Sequence, residues 1–306
     1  MNSRLDPRRW LHYLLAPLDG PLTLLILILV GYAAVVMVSA SPERLGTLAL
    51  NTAVAFSVMW IAAKTPPSRM MSAALPLYAI GVLLLIAVAL FGDVSKGARR
   101  WLNIGVTRIQ PSELLKIAMP LTLAWYFQSR EGMLRARDFF IAAGLLLLPV
   151  GLIAKQPDLG TAMMVAAAGF YVLYFAGLSW KLLVAMIVAG CALVFAVLDW
   201  DTCNRMLHEY QCQRIATMLD PMEDPLGSGY HIIQGTIAIG SGGLFGRGWL
   251  GGTQTHLDFI PERTTDFIFA VLGEEFGLLG NIVLLVMYLL VIGRGLMIAS
   301  RASTLF

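Results

Sequence analysis

GSGGLFGRGWLGGTQTHLDFIPERTTDFIFAVLGEEFGLLG, residues 240–280, joins a glycine-rich polar loop to an apolar run expected to be helical from Asp266 to about Arg294. A helix of that length can cross a bilayer, for which about 20 residues suffice. Asp266 is thereby expected where water meets lipid. A carboxylate carried to the middle of a spanning helix costs about 2.5–3.5 kcal/mol, so an acid kept on such a helix points to function. A helix cap is the structural alternative.

The remainder of the chain has the same character. Of 306 residues, 58% are hydrophobic and 13% charged, and the charges fall between long apolar runs, which defines a polytopic membrane protein. Apolar windows lie at 21–40, 45–63, 71–91, 114–127, 139–154, 161–177, 182–198 and 267–292, giving an all-α fold with about eight transmembrane helices. The windows at 114–127 and 139–154 are short, which predicts helices that begin in polar loops or rest on protein. Residues 1–20 lack a cleavable leader pattern, so the first window is expected to be a retained helix. A single transmembrane domain is expected over 1–306, with a large loop at 199–265 between helices seven and eight. That loop contains an amphipathic helix near 206–219, turns at Asp220-Pro221 and Asp224-Pro225, and a short interfacial helix at 230–239.

Arg4, Arg8, Arg9, Lys64, Arg69, Arg130, Arg135, Arg137, Arg294 and Arg301 all fall on one side if the crossings alternate. The positive-inside rule makes that side cytoplasmic, together with the amino terminus. The opposite side keeps Lys96, Arg99, Arg100, Arg108, Lys155, Arg205, Arg214, Arg247 and Arg263, which orientation does not require. Bases held there suit an anionic ligand, a phosphate above all, although nearby acids could balance several of them.

Three motifs carry candidate chemistry. The glycines around Arg247 match neither the dinucleotide nor the Walker spacing; what they allow is close backbone approach, and a loop offering amides and one guanidinium could hold a lipid-linked phosphate. Gln110-Pro111-Ser112-Glu113 starts the fourth helix, with Glu113 and Lys116 on one face, placed to pair with each other or with a substrate. Lys155-Gln156-Pro157-Asp158 is a polar turn between crossings, where Asp158 serves as a second candidate carboxylate or as an N-cap. Three cysteines exclude a disulfide framework. Cys191 reads as a buried thiol, and the pairing of Cys203 with Cys212 stays open, because one continuous helix through both would separate them by roughly 13 Å. His12, His208, His231 and His256 show no zinc-ligand spacing.

With these residues assembled, the chain resembles the SEDS family (shape, elongation, division and sporulation) of membrane glycosyltransferases, and its elongation branch most of all. The resemblance runs through RRWLNIGVTRIQPSELLK from Arg99, KQPDLGTA from Lys155, GYHIIQGTIAIGSGGLFGRGWLGGTQTHLDFIPER from Gly229 and TDFIFAVLGEEFGLLG from Thr265. It implies a bacterial inner-membrane peptidoglycan glycosyltransferase that polymerises lipid II on the extracytoplasmic face. A class B penicillin-binding protein and other elongation-complex membrane proteins are the implied partners, with no role for nucleic acid. The family's essential aspartate corresponds to Asp266. Its fourth-helix motif corresponds to Glu113 and Lys116, and its fifth-to-sixth turn to Lys155 and Asp158. Thr264 stands where the family often has histidine. The family has ten crossings against about eight here, so the sequence reads as C-terminally partial.

Lipid II carries an α-linked sugar on pyrophosphate while the polymer is β-1,4-linked, so one inverting displacement suffices. Pyrophosphate leaves without a proton; the site then needs one base and positive charge. Asp266 is the expected base, its pKa raised by burial, with a divalent cation, magnesium or manganese, as a candidate neighbour. Arg247, Lys155 and Arg100 are expected on the pyrophosphate, and Gln110, Ser112, Glu113, Lys116 and Asp158 along the substrate path. Glu274 and Glu275, further along the helix, are expected to pack or to line the cavity. A lipid II flippase and a non-catalytic scaffold for a penicillin-binding protein are the competing classes.

Overall fold

All eight apolar windows are helical in the computed structural model, which describes residues 18–302 apart from 96–97, 104–107, 131–133, 157, 208, 258 and 261–262. Arg4, Arg8, Arg9, Lys96, His12 and His208 from the sequence reading lie outside the described residues. The helices at the first seven windows are α1 (Gly20–Ala40), α2 (Leu45–Lys64), α3 (Pro67–Phe91), α4 (Pro111–Gln128), α5 (Ala136–Lys155), α6 (Leu159–Phe175) and α7 (Trp180–Val197). The large loop then forms α8 (Trp200–Met206), α9 (Glu209–Leu219), α10 (Tyr230–Ser241) and α11 (Thr253–His256), before α12 (Ile268–Ala299). Six of these helices are long and apolar enough to cross a membrane: α1, α2 with the 3-10 turn before it, α3, α5, α7 and α12. Helices α8 and α11 and one sheet have no counterpart in the sequence reading. Between α3 and α4 the chain forms a small antiparallel sheet, β1 (Asp93–Ser95), β2 (Ala98–Asn103) and β3 (Arg108–Ile109), with Leu102 opposite Ile109 and Asn103 opposite Arg108.

The chain packs as two units. Residues 65–197 form one, around Leu85, Leu115, Met119, Leu123, Phe127, Ile153 and Val165. Lipid tails are as apolar as leucine, so helix association here rests on close packing and interhelical hydrogen bonds, each of the latter contributing about 0.6–1.7 kcal/mol. Three such bonds tie this unit: Thr122 Oγ1 donates to the Ala74 carbonyl (3.1 Å), Tyr78 Oη to that of Leu145 (2.8 Å) and Gln156 Nε2 to that of Leu85 (2.9 Å). Helix α4 leans on protein as its short window predicted, with half its residues buried, Ser112 among them. Helix α7 does the opposite, since none of its described residues is buried. Cys191 is accordingly exposed, a correction to the buried thiol expected inside an apolar run; the helix face that carries it has no protein partner within this unit.

The described residues of 18–64 and 198–301 form the other unit, built on α1 and α12. Asp19 caps α1 by accepting from the Leu22 amide (2.9 Å), and the Arg294 guanidinium grips both of its carboxylate oxygens (3.0 and 2.7 Å). Further along, Tyr32 Oη donates to the Gly280 carbonyl (3.2 Å), and beyond it Ser39 Oγ donates to the Glu275 carboxylate. The two helices are therefore antiparallel. The Arg294 hydrogen bond, aided by the Leu22 amide, holds the Asp19 carboxyl below the usual carboxylate range. A lowered folded-state pKa contributes stability above the unfolded value and loses it as pH falls through the folded value. The gap in thermal stability between the native protein and Asp19→Asn, present at neutral pH, should therefore close below about pH 4, as a melting series in detergent would read.

Cys203 and Cys212 are joined in a disulfide. The chain turns extended at Leu207 between α8 and α9, so the two Cα atoms come within 5.8 Å, which one continuous helix would have prevented. Closing so short a loop restrains the unfolded segment by about 2–3 kcal/mol. Reduction should speed hydrogen exchange in α8 and α9 while leaving α1 and α12 unchanged.

Candidate active site

Asp266 is neither in the helix nor its cap. Helix α12 begins at Ile268 with Phe267 in the N-cap position, and Asp266 lies in the turn before it. The reason is the Phe267 ring, which stacks on His231 (centroids 6.0 Å apart) and lies against Gly235, where a Cβ would come within 2.8 Å of it. Anchoring Phe267 to α10 in this way starts the helix two residues later than the sequence suggested. Asp266 is exposed and makes no hydrogen bond or ion pair with any described residue. The burial expected of it is absent.

Glu274 and Glu275 contrast with it. Both are buried, at 0% and 1% exposure. Glu274 accepts from the backbone amides of Gln254 (2.8 Å) and Thr255 (3.2 Å) and from the hydroxyls of Thr255 (3.0 Å) and Thr253 (3.3 Å). A carboxylate taken out of water needs this many donors. Glu274 thus organises the start of α11, a role hidden from sequence reading because its partners lie about twenty residues upstream. Glu275 is held by Ser39 of α1.

The glycine loop is explained by a break in α12. Gly277 adopts φ 65°, ψ −160°, interrupting the helix and releasing backbone groups on both sides. The loop satisfies them: the Arg247 and Gly248 amides donate to the carbonyls of Glu274 (2.9 Å) and Glu275 (3.0 Å), and the carbonyls of Gly243 and Leu244 accept from Leu278 (2.9 Å) and Leu279 (3.1 Å). Contact is so close that a Cβ on Gly246 would lie 2.0 Å from the Glu275 carbonyl oxygen. The expectation that this loop presents its amides to a phosphate is corrected at Arg247 and Gly248, whose amides are committed to the helix. The Arg247 side chain remains exposed, with Nη1 donating to Thr253 Oγ1 (3.0 Å) and Nε to the Ser241 carbonyl (3.4 Å).

The other candidates belong to the 65–197 unit. Asp158 accepts from the Thr161 amide (3.3 Å) as the N-cap of α6 and also from Gln110 Nε2 (3.2 Å), with Arg100 Nε 3.9 Å away. Asp158 is the N-cap that the sequence allowed, and it also belongs to a polar cluster with Gln110 and Arg100. Glu113 and Lys116 pair at 2.7 Å, and neither is buried. Glu113 also lines a cavity of about 440 Å³ with Trp101, Arg108, Gln110 and Leu84, of which Trp101 and Leu84 were not foreseen. Lys155, at the end of α5, is exposed and unpartnered among the described residues. Those residues contain no cluster of three or more side chains suited to a metal ion.

The profile of the FtsW, RodA and SpoVE cell cycle proteins matches residues 14–306. The chain belongs to this family. Within the FtsW/RodA/SpoVE group it is 47% identical over 292 residues to the peptidoglycan glycosyltransferase MrdB of Escherichia coli K12, covering 94% of this chain and 78% of that protein. It is 34% identical over 308 residues to the probable peptidoglycan glycosyltransferase FtsW of Halothiobacillus neapolitanus, covering 93% and 70%. Among solved structures it is similar to a chain of a peptidoglycan synthase complex that coordinates polymerisation and crosslinking, at TM-score 0.71 and 35% identity over 90% of this chain and 76% of that one. It is also similar to the rod shape determining protein RodA of Thermus thermophilus, at TM-score 0.61 and 28% identity over 90% and 73%.

Proposed function

We propose that the chain is a peptidoglycan glycosyltransferase that polymerises lipid II into β-1,4-linked glycan during cell elongation, with Asp266 as its base. The observation that carries the chemistry is the contrast among three carboxylates at one end of α12. Glu274 and Glu275 are buried and engaged, whereas Asp266 is exposed and unengaged among the described residues, the one acid there free to receive a proton. In the reaction the acceptor 4-hydroxyl attacks the donor anomeric carbon as the bond to pyrophosphate breaks. Its proton passes to Asp266 and the electron pair leaves with undecaprenyl pyrophosphate. Arg247 and Lys155 are exposed cations, and with Arg100 they supply the positive charge for the departing phosphates. Gln110, Ser112, Glu113, Lys116 and Asp158 shape the substrate path.

The extracytoplasmic placement of this chemistry is supported by the basic short connections on the other side and by a disulfide in the large loop, since disulfides persist in oxidising compartments. Similarity to a chain of a synthase complex supports partnership with a class B penicillin-binding protein and further elongation-complex membrane proteins. The described residues form no metal cage, but magnesium or manganese shared between one carboxylate and substrate phosphates needs none. Such an ion would neutralise pyrophosphate charge beside Asp266.

One observation bears on the flippase alternative: transporters often carry broken helices at their binding sites. Here the groups freed beside Gly277 are bonded to the glycine loop, a splint more than a binding site. The test is incubation of purified protein with labelled lipid II in liposomes, with separation by size. Long glycan is the expected product; translocated but unjoined lipid would overturn the assignment.

A further inference from the structure

The antiparallel pair α1 and α12 acts as a ruler of depth. Asp19 with Arg294 marks one end. Ser39 and Glu275, bonded to each other, lie twenty and nineteen residues away, about 30 and 28 Å at helical rise, close to the whole hydrocarbon thickness of about 30 Å. The Tyr32–Gly280 bond falls at matching heights on both helices, which confirms the scale. With Asp19 and Arg294 set at one hydrocarbon boundary, Ser39 and Glu275 fall at the other.

The glycine loop passes below that level. Its bonds to Leu278 and Leu279 engage α12 beyond Glu275, and Trp249 Nε1 donates to the carbonyl of Val35 (3.1 Å), four residues inside Ser39 on α1. The backbone bonds put Gly243 and Leu244 about 5 Å, one helical turn, inside the boundary, and the Trp249 ring reaches a similar depth. Backbone at such depth must be satisfied internally, and the splinting bonds do this. At the tip Leu244 and Phe245 are 64% and 79% exposed. Arg247 returns to the level of the Glu274 carbonyl, where a charge can reach the interface.

We propose that the turn at 243–245 is a membrane-seated wedge, with Leu244 and Phe245 standing in the acyl chains of the bilayer. The partner is hydrocarbon, and the wedge fixes the depth of the loop that carries Arg247. The proposal is independent of the role of Asp266.

The test uses Leu244→Cys and Phe245→Cys in a Cys191→Ala background, each labelled with an environment-sensitive fluorophore, in nanodiscs of phospholipid alone. Leu226→Cys, at a position 89% exposed in the polar part of the loop, is the aqueous comparison. A nitroxide near the top of the acyl chain should quench the probes at 244 and 245 at least about twofold, while iodide should quench only the one at 226. Iodide quenching at 244 and 245 equal to that at 226 overturns the proposal. So does quenching by neither reagent, which would mean a protein covers the tip, or lipid quenching that develops only after undecaprenyl phosphate is added.

Discussion

Asp266→Asn should lower glycan polymerisation by about 10²–10⁴-fold, the usual contribution of a positioned general base. The amide is nearly isosteric and cannot accept a proton at neutral pH. Because Asp266 is exposed and unpartnered among the described residues, the substitution should leave the melting temperature in detergent unchanged. That pairing of readouts separates chemistry from folding. Retention of more than about a tenth of the native rate would remove Asp266 from the role of base. A loss of activity accompanied by a lower melting temperature would instead mean that the turn at 263–267 needs the carboxylate to fold.

Gly246→Ala should destabilise the protein by about 3–5 kcal/mol, combining a positive φ with an overlap that only backbone movement relieves. At φ 79° the added Cβ would lie 2.0 Å from the Glu275 carbonyl oxygen and 2.3 Å from its carbon. Gly243→Ala is the matched comparison. Its φ is also positive, at 56°, yet nothing lies within 4 Å of the new methyl, so the cost should be only about 1–2 kcal/mol. Melting both variants in detergent checks the contrast. Equal effects would mean that the splint across the break at Gly277 is looser than the hydrogen bonds indicate.

The helices were legible because lipid imposes a strong local rule: every spanning segment must be apolar and about 20 residues long. What the sequence hid depends on contacts between distant segments. Gly277 sits in EEFGLLG, which scans as ordinary helix, and only the loop thirty residues earlier shows it to be a break. The same hidden contact turned a glycine cluster read as a phosphate cradle into a backbone splint. The apolar run after Asp266 makes the helix look as if it starts there; the Phe267–His231 stack that delays it joins residues 36 apart in the chain. The sheet at 93–109 is hidden because β1 and β3 have only three and two residues and β2, ARRWLN, does not alternate polar with apolar residues. The pairing of Cys203 with Cys212 turned on a single extended residue, Leu207.

The antiparallel pairing of α1 with α12 has a consequence for the order of assembly during synthesis. Helix α1 emerges from the ribosome first, but its hydrogen-bonded partners, Glu275, Gly280 and Arg294, are 236 to 275 positions later. The 65–197 unit is continuous in sequence and can assemble while the chain is still being made; the unit that holds Asp266 cannot close until α12 has been inserted. For most of its synthesis α1 waits in the membrane without its partner. A ribosome stalled before Ile268 would therefore hold a chain whose 65–197 unit is built while α1 still lacks its partner.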